Sequence, residues 1–209
     1  MTDQQIQDRV RQYYEGRLRA HGATAAGVNW KSESSQTLRF DQLRHLWAAD
    51  AETSIIDYGC GYGALADYLR TTGHHGQYVG FDLCDQMAEA ATSRSRTLDG
   101  CWWTSDRRQL RPADFAVASG IFNVKLDAGD EEWFGYMTRT IADMASLGRR
   151  GFAFNALTSH SDTDKQRPDL YYANPVEIFE HCRTTYSRFV TLVHDYPLYE
   201  FTMIVRTAP

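Results

Sequence analysis

The residues best suited to chemistry lie in one short run, Asp57-x-Gly59-x-Gly61-x-Gly63. The apolar pair Ile55-Ile56 precedes it, and Leu65, Ala66 and Leu69 follow at helical spacing. A strand, a glycine turn and a helix, in that order, present backbone N–H groups to a nucleotide. One glycine turns the chain, one lets the backbone approach a ligand, and one lets the helix pack close to the sheet. The same run also satisfies Gly59-x-Gly61-x-x-Ala64, the dinucleotide fingerprint.

A second acid stands at the right distance. Gln77–Asp82 reads as a strand that ends in a carboxylate, 23 residues after Gly59. A carboxylate there accepts hydrogen bonds from ribose hydroxyls. This spacing fits any adenosine-bearing ligand.

With Asp57 ahead of its glycines, the run resembles the first motif of the class I S-adenosylmethionine (SAM)-dependent methyltransferases. The resemblance covers about residues 50–206, with the glycine motif and Asp82 as its specific parts. It implies a turn passing beneath the methionine part of SAM, with Asp57 helping to hold the amino group. It implies Asp82 at the ribose, Leu83 at the adenine edge, Asp106 at the adenine amino group and Ser119 at the end of the fourth strand, beside the cofactor. The product would be S-adenosylhomocysteine (SAH). The reaction would be in-line displacement of the sulfonium methyl by an O, N or C nucleophile of a small molecule.

The elements that must position these residues follow from periodicity. Residues about 3–20 repeat Ile6, Val10, Tyr13, Tyr14 and Leu18 at helical spacing, with Asp3 as a cap. A second helix carries Leu38, Leu43, Leu46 and Trp47, capped by Ser34 or Ser35. Residues 1–50 are expected to form a helical lid and residues 51–209 the cofactor-binding core, as one domain overall. Cys101–Thr104 reads as an apolar, buried third strand, and Asp114–Gly120 and Gly151–Asn155 as the fourth and fifth. Helices begin at Asp85, near Asp130, and at Asn174-Pro175. Phe189–Asp195 and Tyr199–Arg206 are two strands joined by only Tyr196-Pro197-Leu198, which forces antiparallel pairing. The expected fold is an α/β three-layer sandwich around a seven-stranded, mostly parallel sheet whose last strand is antiparallel. A dinucleotide fold would continue with parallel strands.

Composition narrows the partners. The chain has 209 residues, a net charge of −5 and four cysteines without a C-x-x-C pair. These point to a reduced, cytoplasmic protein without a nucleic-acid footprint. No metal spacing, membrane span or signal-peptide core is visible, so no metal and no membrane partner is expected. Monomer and homodimer both stay open.

The acceptor side is less defined. Arg39 is a candidate for the SAM carboxylate. Tyr14 and Trp30 could form an aromatic lid, while Asn123, Lys125, Asn155 and Tyr172 lie near strand ends, where a substrate would sit. His160, His194 and Tyr172 are the weak candidates for a base, with Asp195 and Tyr171 beside them, and none stands out. Two other classes compete with the transferase reading. One is a SAM-binding regulator or scaffold without turnover. The other is a nicotinamide-dependent oxidoreductase, against which no lysine has a tyrosine four residues before it.

Overall fold

The computed structural model describes all residues except Lys31, Ala48, Ala49, Arg96, Thr97 and Pro209. The N-terminal segment holds α1 (Asp3–His21), a 3-10 turn (Ala26–Val28) and α2 (Glu33–Arg44). There follow β1 (Ile55–Tyr58), α3 (Ala64–Thr71), β2 (Tyr78–Phe81), α4 (Asp85–Arg94) and β3 (Cys101–Thr104). The second half holds β4 (Ala113–Ala118), α5 (Asp130–Leu147), β5 (Gly148–Leu157), α6 (Pro175–Thr185), β6 (Phe189–Val193) and β7 (Glu200–Arg206).

The seven strands form one sheet in the order β3-β2-β1-β4-β5-β7-β6. β1 to β5 pair in parallel, and β7 runs antiparallel to both β5 and β6. The expected α/β sandwich with one antiparallel strand is therefore the observed fold. The chain reverses direction on the sheet between β1 and β4, where ligands of open α/β sheets bind.

Strand periodicity sorts the core into two layers. Ile55, Phe115, Val117, Ala153 and Ile204 face α2 and α3, meeting Phe40, Leu43, Leu65 and Leu69. Ile56, Ala116, Ala118, Phe152, Phe154, Met203 and Val205 face α5 and α6, meeting Met137, Ile141, Met144 and Ile178. α2 thus belongs to a layer of the sheet as well as to the N-terminal segment. α1 packs through Ile6 against Ala128, Trp133 and Tyr136.

Local details differ from the sequence expectations at several ends. Thr2, rather than Asp3, caps α1, sharing a capping box with Gln5. Ser32 caps α2 through the Ser35 amide. β3 is not buried throughout, because it is an edge strand, and Trp102 is 41% exposed. β6 ends at Val193, so His194 and Asp195 belong to the hairpin loop instead of the strand.

Candidate active site

The glycine turn leaves β1 with positive φ at Gly59, Gly61 and Gly63, at 85°, 53° and 85°. The amides of Gly59 and Cys60 donate to the Phe81 carbonyl at 2.7 and 2.9 Å, fixing the turn to the end of β2. Asp82 ties the two loops together. One of its oxygens accepts from the Gly61 amide at 2.8 Å, and the other accepts from the Cys84 amide at 2.9 Å. Burial pushes its carboxyl up to about 6, against the pull of those two amides.

Asp57 lies at the end of β1 on the same cavity, 3% exposed. The Tyr78 hydroxyl donates to its Oδ2 at 2.6 Å. Burial raises its carboxyl to about 7, with the negative Asp82 adding to the rise and the Tyr78 hydrogen bond opposing it. Two carboxylates therefore face one cavity, and neither is held down by a neighbouring cation.

The N-terminal segment roofs the cavity with Arg11, Tyr14, Val28, Trp30, Gln36 and Phe40. Arg11 Nε donates to the Leu83 carbonyl at 3.0 Å. The Tyr62 hydroxyl donates to Gln36 Oε1 at 2.8 Å, joining the roof to the turn. Two glycines make room for this closure. A Cβ on Gly61 would stand 2.9 Å from Val28 Cγ1, and one on Gly120 would stand 2.2 Å from the Trp30 ring. Gly120 is also held in the left-handed region at φ 76°. Its amide donates to Asn155 Oδ1 at 2.8 Å, and Asn155 Nδ2 donates to Ser119 Oγ at 3.3 Å.

Of the residues expected at the site, Asp57, Gly59, Gly61, Asp82, Leu83, Ser119, Tyr14 and Trp30 line this cavity. Gly63 instead caps α3, where a Cβ would crowd Ala91 and the Trp103 indole, so it serves helix packing. Asn155 acts from behind the wall, fully buried. Arg39 is not available to a ligand carboxylate: it makes a buried two-pronged pair with Glu200 at 2.7 and 2.5 Å. Asp106 turns away to pair with Arg108 at 2.9 Å. Asn123 is buried and accepts from the Leu157 amide at 3.1 Å.

Lys125 and Tyr172 line a separate surface cleft with Arg167 and Tyr171. There Lys125 pairs with Asp130 at 3.1 Å, and the Tyr172 hydroxyl accepts from the Arg167 amide at 3.0 Å. His160 and His194 are exposed neighbours, 5.9 Å between ring centroids, outside the cavity. Sequence reasoning missed Arg11 and Tyr136 as lining residues. Arg11 could have been found, because it sits one helical turn before Tyr14 on the same face. Among the described residues no three His, Cys, Asp or Glu side chains gather as a metal site, and no helix is long and apolar enough to cross a membrane.

Known proteins share this architecture and sequence. A family model described as a methyltransferase domain matches residues 32–188. A Mycobacterium tuberculosis protein named "Putative methyltransferase Rv1506c" is 48% identical over 166 residues, 79% of this chain and 99% of that protein. The N-methyltransferase NodS from Bradyrhizobium japonicum, solved with SAH, superposes with a TM-score of 0.67 at 17% identity, covering 95% of this chain and 98% of that one. Magnesium protoporphyrin IX methyltransferase from Synechocystis, also with SAH, gives 0.66 at 16% identity over 96% and 99%. At such identities the two structures speak for the fold, while the family match and the mycobacterial relative speak for descent. Sequence kinship places the chain in the methyltransferase-domain family, and its sheet order and glycine turn give it the fold of the methyltransferases solved with SAM and SAH.

Proposed function

We propose that the cavity between the glycine turn and the N-terminal lid binds SAM and presents its methyl to a small-molecule acceptor. The observation that carries this reading is a pair of carboxylates on one cavity, the buried Asp57 just before the glycine turn and the half-buried Asp82 after β2, which accepts from the Gly61 amide of that turn. A cationic ligand with ribose hydroxyls suits those two acceptors. Asp57 would face the ammonium and sulfonium end, and Asp82 would accept from the ribose with its remaining lone pairs. Leu83 would border the adenine, and Ser119 and Gly120 would flank the methionine part.

SAM supplies an electrophilic methyl on a sulfonium. The chain's own contribution is to hold, orient and keep dry. Tyr14, Trp30 and Phe40 exclude water and leave an apolar, aromatic roof suited to a planar or apolar acceptor. Burial raises the hydroxyls of Tyr14 and Tyr136, so both remain protonated and serve as hydrogen-bond donors instead of bases. His160 and His194 lie outside the cavity. This arrangement favours an acceptor atom that is already nucleophilic near neutral pH. The magnesium protoporphyrin IX enzyme, by its name, methylates a small planar molecule, in line with this acceptor class.

That no histidine or lysine is among the described residues lining the cavity supports a second reading, SAM binding without turnover. Calorimetric titration with SAH, beside NAD(H), tests the cofactor: SAH alone should bind, and binding of NAD(H) alone would overturn the assignment. Methyl transfer from labelled SAM to a panel of small planar acceptors separates the enzyme from a silent binder.

A further inference from the structure

Tyr78 is fully buried at the start of β2, outside the cavity wall, yet its hydroxyl reaches Asp57 Oδ2 at 2.6 Å. The register explains the reach. Tyr78 pairs with Ile55 and Gly80 pairs with Asp57, so Tyr78 and Asp57 sit diagonally on one sheet face. Gly80, the intervening residue on that face, has no side chain to block the hydroxyl. A Cβ there would meet Trp103 Cδ1 at 2.4 Å and Cys60 Sγ at 2.9 Å. Strand, register and a single missing side chain thus aim one hydroxyl at one carboxylate.

We infer that Tyr78 is a positioning residue of the cofactor site, holding the Asp57 carboxylate ionised and facing the cationic end of SAM. This rests on the SAM reading above. The groups around Asp57 make such a device necessary. Asp82, from the end of β2, is a like charge, and Cys60, from the turn, is a buried thiol. Cys101, from β3, faces the Tyr78 hydroxyl. Burial and Asp82 both favour the neutral acid, and the Tyr78 hydrogen bond is what opposes them. Burial and Asp57 push the tyrosine hydroxyl itself far up, so it stays a donor throughout the working range.

The test is SAH affinity by calorimetry from pH 6 to 9 for the wild type, Tyr78→Phe and Asp57→Asn. The ligand's own titration is common to all three proteins, so differences between the curves report the protein. Wild-type affinity should fall as pH drops through about 7, where Asp57 takes up a proton. In Tyr78→Phe the fall should move up by about one to two pH units, the worth of a hydrogen bond to a charged group. Asp57→Asn should bind weakly without that fall. A Tyr78→Phe curve that overlays the wild type, or is lowered equally at every pH, overturns the inference.

If the wild type binds no SAH, the SAM reading fails separately. The Asp57 carboxyl is then followed by carbon-13 NMR in the unliganded proteins, where the same upward move is expected. Should Tyr78→Phe not fold, 3-fluorotyrosine incorporation keeps the packing and strengthens the donor. The Asp57 midpoint should then fall, and an unmoved midpoint overturns the inference.

Discussion

Arg39 and Glu200 are 161 residues apart in sequence and form a buried, two-pronged ion pair. Their side chains are 8% and 1% exposed. Arg39 lies on α2 and Glu200 opens β7, so the pair fastens the N-terminal segment to the interior of the sheet. The guanidinium also stacks 3.8 Å from the Trp30 ring, and Trp30 in turn covers Gly120 at the cavity wall. A continuous contact therefore runs from the sheet through the ion pair to the roof of the site.

Removing one partner should leave a buried charge alone. Glu200→Ala is expected to destabilise the protein by about 3–5 kcal/mol, read from urea denaturation. The double variant Arg39→Met/Glu200→Leu replaces both charges with apolar groups and should lose less than the single variant. A double variant as unstable as the sum of its singles would mean that the two side chains contribute independently and that no orphaned charge sets the cost.

Gly61 tests the turn. Its φ of 53° and the 2.9 Å approach of Val28 to a Cβ leave no room for a branched side chain. Gly61→Val should abolish SAH binding, while far-ultraviolet circular dichroism still shows the α/β signature. Normal SAH affinity in a folded variant would make this turn a structural feature alone.

Asp82→Ala should weaken SAH binding by about 10- to 100-fold, the worth of one or two hydrogen bonds to a charged acceptor. It should also loosen the fold, because the amides of Gly61 and Cys84 lose their acceptor. Asp82→Asn keeps one carbonyl oxygen and should fall between the two. Calorimetry and thermal melting on the same samples separate the effects. Unchanged affinity in both variants would remove Asp82 from the cofactor site.

The parts of this site written in local backbone chemistry were legible in the sequence. Three glycines in five residues, with an acid before them and another at the end of the next strand, fix the turn and its two carboxylates. The short link before β7 fixed the antiparallel return. Tertiary choices were not legible. Nothing in the helical pattern around Arg39 reveals that its cation meets Glu200. The run Cys101–Thr104 looks buried, but its place at the edge of the sheet exposes Trp102. Asp106 was recoverable, since Arg108 stands two residues away and closes a local pair.

The buried acid at the floor of the cavity sets the last prediction. The Asp57 carboxyl is raised from 3.8 to about 7, chiefly by burial. Across that window the folded protein holds a proton that the unfolded chain has released, so this group makes stability fall as pH rises. Asp57→Asn removes the ionisable group and keeps an oxygen for the Tyr78 hydroxyl. The variant should therefore be more stable than the wild type at pH 8, by up to about 4 kcal/mol. The gap should be flat above pH 7, shrink steadily as pH falls from 7 towards 4, and close only below about 3.8, where the acid is neutral in the folded and the unfolded chain alike. Asp82 titrates in both proteins, and because it is coupled to Asp57 its own titration shifts downward in the variant, which adds to the pH dependence of the gap. Urea denaturation of the two proteins at pH 4, 5.5 and 8 measures the gap. A variant that gains stability at pH 8 while losing SAH affinity would show that Asp57 is kept for the ligand at the expense of the fold. A pH-independent gap would mean that Asp57 does not change its charge in this window.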